Sequence, residues 1–148
     1  MHLTYQYKLL PTKAQRRAME AVLESQRYLY NWALRRRKWE WEQNKSKLTK
    51  KDQFKELTIL RRDDPEYQCL PANLSRWTLD KVDQAFAGFF RRCKVRKDTG
   101  EKAGYPRFKG KGRMRSFGLL EWSGITLSDN RLKFKGLPGS MRVHMHRP

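Results

Sequence analysis

The chain has 148 residues, 38% hydrophobic and 12% aromatic, which suits one domain with a modest core and is too apolar for a disordered tail. Lys and Arg number 34 against 15 Asp and Glu, a formal net charge of +19. A small protein this basic repels itself unless a polyanion neutralises it, so nucleic acid is the expected partner and an acidic membrane surface the second choice. No apolar run approaches the roughly 18 residues of a membrane span, and "MHLTYQYKLL" is too polar for a signal peptide. Two cysteines, Cys69 and Cys93, suit reduced thiols better than a disulfide framework.

In chain order, "HLTYQYKLL" (2–10) alternates, with Leu3, Tyr5, Tyr7 and Leu9 on one face, and predicts a half-buried strand ended by Pro11. "TKAQ" (12–15) reads as a capping box: the Thr12 hydroxyl takes a first-turn N–H and Gln15 reaches back. Met19, Val22, Leu23, Tyr30, Ala33 and Leu34 then recur at helical spacing. This predicts a helix over about 13–43, with room for a break near 25–27. "LTKKDQFKELTILRR" (48–62) predicts a second, short helix with Phe54, Leu57 and Leu60 inward, and "DDPEYQCLP" a loop. Pro71 opens a third helix over about 71–94, with an apolar stripe of Leu79, Val82, Ala85, Phe86 and Phe89.

Between positions 91 and 115 stand eleven Lys or Arg against Asp98 and Glu101. Strand signals return in "SFGLL", "ITL", "RLKF" and "MRVHMH", and Asp129-Asn130 suits a tight hairpin turn. A lone first strand is unstable unpaired. It is therefore expected to join the C-terminal strands, making the helices an insertion in a small sheet or barrel: 1–10 first strand, 11–95 helical insertion, 96–115 basic connector, 116–148 remaining strands.

No catalytic constellation emerges. His2, His144 and His146 stand apart from the two cysteines, and a zinc site needs about four ligands at characteristic spacing. There is no phosphate loop and no nucleophile elbow. The chain is expected to catalyse nothing alone and to need no cofactor.

Three features suit a polyanion. The first is "GYPRFKGKGRMRSF" (104–117), where Arg107, Lys109, Lys111, Arg113 and Arg115 suit phosphates. The interleaved Tyr105, Phe108 and Phe117 suit stacked bases. The second is the run Arg35, Arg36, Arg37 and Lys38 beside Trp39 and Trp41. Four successive cations go round a helix, so at least one must point to the core side or another partner. Arg35 and Arg36 are assigned to backbone contact, and the tryptophans to packing. The third is Asn73, Arg76 and Trp77 at the start of the third helix, where an N-terminus favours phosphate and Asn and Arg can read base edges.

Seven collinear segments, "YKLLPTKAQ", "SQRYLYNWAL", "LTKKDQFKELTILRR", "LDKVDQAFAGFFRR", "GYPRFKGKGRMRSF", "RLKFKGLPG" and "VHMHRP", resemble the N-terminal portion of the TnpB (OrfB) family. These are transposon-encoded, RNA-guided DNA endonucleases related to type V CRISPR effectors. The resemblance implies an α+β fold: an oligonucleotide-binding split β-barrel, the wedge domain, interrupted by a helical recognition bundle. It implies as partners a transposon-end-derived guide RNA, double-stranded and heteroduplex DNA, and a separate nuclease part. Guide pairing would supply target sequence, while the protein reads shape and a flanking motif. By position, the family's flanking-motif readers fall on Lys50, Lys51 and Phe54, on Asn73, Arg76 and Trp77, and near Glu121-Trp122. The older helix-turn-helix description of such N-terminal helices fits poorly with core-like spacing and no tight glycine turn.

Family members are considerably longer. Their RuvC-like nuclease, with its metal site, and their zinc ribbon lie beyond the point where this sequence stops. The expectation is a nuclease-lacking module, cytoplasmic and nucleoid-associated, that binds guide RNA scaffold and target-flanking DNA without cutting. The alternatives are an RNA-independent DNA-binding regulator and a non-functional transposase remnant.

Overall fold

The computed structural model describes residues 2–68, 70–100, 103–121 and 124–145, with the backbone alone for 97–99. Strand β1 (Lys8–Leu10) precedes four helices, α1 (Lys13–Asn44), α2 (Lys50–Asp63), α3 (Pro65–Gln68) and α4 (Ala72–Thr99). Strands β2 (Ile125–Ser128), β3 (Arg131–Phe134) and β4 (Ser140–His144) follow.

The capping box at Thr12 forms as expected. Its hydroxyl accepts the Gln15 N–H at 3.2 Å, and its own N–H donates to Gln15 Oε1 at 3.0 Å. The break near 25–27 does not occur: α1 is one helix of 32 residues without Gly or Pro. Gln26, Leu29, Tyr30, Ala33, Leu34 and Arg37 form its buried stripe at offsets of three and four. The helix ends where Lys45 turns left-handed, at φ 53. A second capping box, Thr49 with Asp52, starts α2.

Where a loop was expected at 63–71, α3 adds a single turn. Helix α4 runs past position 94 to Thr99, and Gly100 at φ 76 caps it. Arg91, Arg92 and Lys94 are helical as expected, and Arg96, expected at the start of the connector, is helical too.

The strands form one antiparallel sheet in the order β1-β4-β3-β2. The first strand does join the C-terminal ones, pairing Leu9 with Val143. It is shorter than the alternation of 2–10 predicts. Leu3 and Tyr5 are 66% and 55% exposed, so the expected half-buried face is not formed there. The physical reason is partner length: the β1–β4 ladder ends at Lys8 opposite His144. "SFGLL" is also not a strand; it belongs to an irregular connector. The β2–β3 hairpin turns through Asp129 and Asn130 at φ 47 and 63, both left-handed as a two-residue turn requires. Cys69, Trp122 and His146 lie outside the described residues.

Alternation sets the faces of the sheet. Met141 and Val143 of β4 and Phe134 of β3 are buried, while Arg142, His144, Arg131 and Lys133 point outward. Leu29, Ala33 and Leu34 of α1, Leu57 of α2, and Leu74, Leu79, Val82 and Phe86 of α4 form one core cluster. Phe134 belongs to the same cluster, so helices and sheet share a core.

Candidate nucleic-acid interface

The connector between α4 and β2 lies against the helices and is fastened at several points. Asn31 of α1 clasps Lys109: the Lys109 N–H donates to Asn31 Oδ1 at 2.8 Å, and Asn31 Nδ2 donates to the Lys109 carbonyl at 2.9 Å. Arg27 donates to the same carbonyl at 3.1 Å and is itself held by Glu24, at 2.6 Å. The Arg27 hydrogen bond holds the Glu24 carboxyl below its ordinary pKa. Asn73 of α4 clasps Glu121 in the same way, receiving its N–H at 3.0 Å and donating to its carbonyl at 2.6 Å.

Ring contacts fix the rest. Tyr105 packs edge-on against Phe86 and Phe89, with centroids 5.6 and 5.1 Å away, and Phe117 against Phe134 at 5.3 Å. Burial raises the Tyr105 pKa. Gly118 sits under the indole of Trp77, so close that an added Cβ would lie 2.6 Å from ring atoms. Tyr105 and Phe117 thus anchor the chain through ring contacts, while Phe108 is 48% exposed and Tyr105 still 39%. Arg107, Lys111, Arg113 and Arg115 are exposed, and the Lys109 ammonium rests 5.5 Å from the centre of the Tyr30 ring.

The four cations of α1 divide. Arg35 and Lys38 are exposed. Arg36 forms a two-toothed ion pair with Glu56 of α2, at 2.6 and 3.1 Å, and lies over Trp39. Arg37 is the one that turns inward. It donates to Gln53 Oε1 at 2.7 Å and to Asp83 at 2.9 Å, and stacks over Phe86. The buried Gln53 amide passes the link on to the Ala33 carbonyl at 2.9 Å. Trp39 and Trp41 are 49% and 55% exposed rather than core, because the stripe of α1 ends at Arg37.

Of the positions matched to flanking-motif readers, Lys51 is exposed and Lys50 is paired with Asp80 at 3.0 Å. Phe54 packs on the core. Arg76 shares a cavity of about 290 Å³ with Asn73, Glu121 and Lys135. The structure therefore brings Asn73, Arg76 and Trp77 to the connector's C-terminal half and Lys109 to Arg115 to the middle of α1, while Lys50 and Lys51 stand at the start of α2. Asn31 and Arg27 escaped notice in the sequence, as did the second role of Gln15, whose Nε2 donates to the Pro138 and Ser140 carbonyls. A lone amide on a helix carries no sign that it will clasp a backbone segment 78 residues away.

Among the described residues no group of three or more His, Cys, Asp or Glu is placed to hold a metal ion, and no helix is long and apolar enough to cross a membrane. In comparison with known proteins, residues 1–46 match the OrfB/IS605 family model described as a helix-turn-helix domain. No curated protein matches the chain. Within the matched residues the structure holds β1 and all of the single helix α1, so the turn of that description is not formed inside them.

Proposed function

We propose, from the match of residues 1–46 to the OrfB/IS605 family model, that these 148 residues are the nucleic-acid-binding module of a TnpB-like, RNA-guided, transposon-associated nuclease. The module holds the guide RNA scaffold and the DNA flanking the target. The four-stranded sheet is one wall of a wedge-type split barrel, and α1 to α4 are its inserted recognition bundle. A partner nuclease part supplies cleavage.

One observation carries this reading. The cations Lys111, Arg113 and Arg115 are exposed on a stretch of backbone clasped by asparagine amides at Lys109 and at Glu121, and the exposed Arg107 stands two residues before the first clasp. Cations held in place neutralise phosphates at lower entropic cost than cations on a free tail. Contacts to phosphate position a nucleic acid without choosing sequence. Arg35, exposed on α1, adds a further phosphate contact, and Asn73, Arg76 and Trp77 lie where a flanking duplex would meet the start of α4.

The test is to purify the chain from its host, sequence the RNA that accompanies it, and measure binding to that RNA and to a scrambled RNA of equal length. Tighter binding to the cognate scaffold at physiological salt is expected; equal affinity would sink the guide-specific form of the proposal. Gel shifts of duplex DNA with and without that RNA separate this reading from an RNA-independent regulator. Reversing Lys109 and Lys111 to Glu should weaken binding to all sequences about equally and flatten the salt dependence by roughly one unit of slope for each phosphate no longer neutralised. A selective loss for one sequence would contradict that assignment.

A further inference from the structure

Between α1, α4 and the connector lies a cavity of about 560 Å³, within the range of about 300–1,000 Å³ typical of small-molecule sites. Its wall combines two aromatic rings, Tyr30 and Trp77, with four cations, Lys81, Lys109, Arg113 and Arg115. Among the described residues no carboxylate lines it. Two of the cations already lie over the rings, Lys81 at 4.9 Å from Trp77 and Lys109 at 5.5 Å from Tyr30. Charge and flat apolar surface are therefore presented together.

The wall also contains Gln26, which is 0% exposed and whose Oε1 and Nε2 both lack a hydrogen-bond partner. The contrast with Gln53 is direct. That amide is equally buried, yet its oxygen accepts from Arg37 and its nitrogen donates to Ala33. A buried amide with neither group paired is costly and rare in folded proteins. What satisfies it is a group that offers a donor beside an acceptor in one plane. Phosphate offers acceptors alone. A nucleobase edge offers both, and the glutamine amide is a habitual bidentate partner of adenine.

We propose that this cavity takes one unstacked nucleotide of the bound strand, its base edge on the Gln26 amide, its face against Trp77 or Tyr30, and its phosphate among Lys109, Arg113 and Arg115. The proposal rests on the nucleic-acid-binding reading above and adds to it a base-sized site on the protein. The Gln26 amide is closed off from solvent, so entry displaces a flexible wall side chain, and Met114 is the unbranched candidate. The site accepts single-stranded or extruded nucleotides, because a base stacked and paired in a duplex presents neither its face nor its pairing edge.

The experiment compares adenosine 5′-monophosphate with ribose 5-phosphate on the full chain, by saturation-transfer NMR and calorimetry. The same samples are titrated with a 20-nucleotide RNA. The wild-type protein is expected to bind the nucleotide at least about tenfold more tightly than the sugar phosphate, the worth of one good bidentate pair. Gln26→Met keeps side-chain length and removes the orphaned amide. It should abolish that preference and weaken RNA binding by up to about tenfold, the worth of that pair, with the melting temperature unchanged or higher; Gln26→Leu serves if the first variant does not fold. RNA binding with no preference for the nucleotide over the sugar phosphate overturns the pocket and leaves the broader function standing. A preference that survives in the Gln26 variant also overturns it. Absence of any RNA binding by the wild type overturns the broader reading.

Discussion

The division of labour within Arg35, Arg36 and Arg37 shows how little a charge run says about any one of its members. Three neighbouring guanidiniums have three fates: solvent, a pair with Glu56, and a buried link between α1, α2 and α4. That one of four successive cations must face inward follows from 3.6-residue periodicity alone. That it would be Arg37 depends on Gln53 and Asp83, 16 and 46 positions away. Arg37→Ala leaves the buried Gln53 oxygen unpaired. It should cost about 2–3 kcal/mol, less than a fully buried pair because Asp83 reaches solvent. Chemical denaturation checks this. Arg35→Ala should leave the denaturation midpoint in place and lower RNA affinity, with a shallower salt slope. Equal loss of stability in both variants would show that the exposed and buried roles are misassigned.

At the level of elements, sequence periodicity located α1, α2 and α4 and the β2–β3 hairpin, because each has its own capping, stripe or turn chemistry. It overran β1 and placed a strand at "SFGLL", since alternation reports which residues could pair and not whether a partner strand reaches them. The connector was legible as a basic segment but not as a fastened one, because its fasteners sit on α1 and α4. Asn31→Leu removes one clasp and strands the Lys109 N–H, while the Lys109 carbonyl keeps its bond from Arg27. We expect a loss of about 1–3 kcal/mol and faster trypsin cleavage at Arg107 to Arg115, read by limited proteolysis. Unchanged cleavage would mean that the rings alone fix the segment. Gln15 tests the joint between layers. Its oxygen completes the α1 capping box, while its nitrogen donates to the Pro138 and Ser140 carbonyls at 3.1 and 2.9 Å. Gln15→Glu keeps the first role and turns the second into repulsion between oxygens. The variant should retain its helix content by circular dichroism and melt several degrees lower.

Across the whole molecule, the surplus of positive charge sets the conditions under which the fold survives. Glu24, Glu40 and Asp52 are held below their ordinary pKa, by Arg27, by Ser46 with Asn44, and by the Thr49 backbone. A depressed carboxyl stabilises the fold above its ordinary value and stops doing so as pH falls through the lowered one. Burial raises Tyr30 and Tyr105 above their ordinary 10.0, so their share is complete below that value and is lost as pH rises beyond it. Melting temperature should therefore be level from roughly pH 5 to pH 10 and fall on both sides, more steeply in acid, where each carboxyl protonated adds to the +19 already present. A decline starting near neutrality would contradict this. The unbroken α1 has a different consequence, for the lengths the chain can tolerate. Gln15 fixes one end of that helix to the β3–β4 loop, while Arg27 and Asn31 grip the connector further along. One residue inserted between them rotates the two grips by about 100° relative to each other, so no single shift restores both. The same residue inserted at 45–49, outside any helix or strand, is absorbed. Insertions and deletions among related chains should accumulate in the second place and be missing from the first.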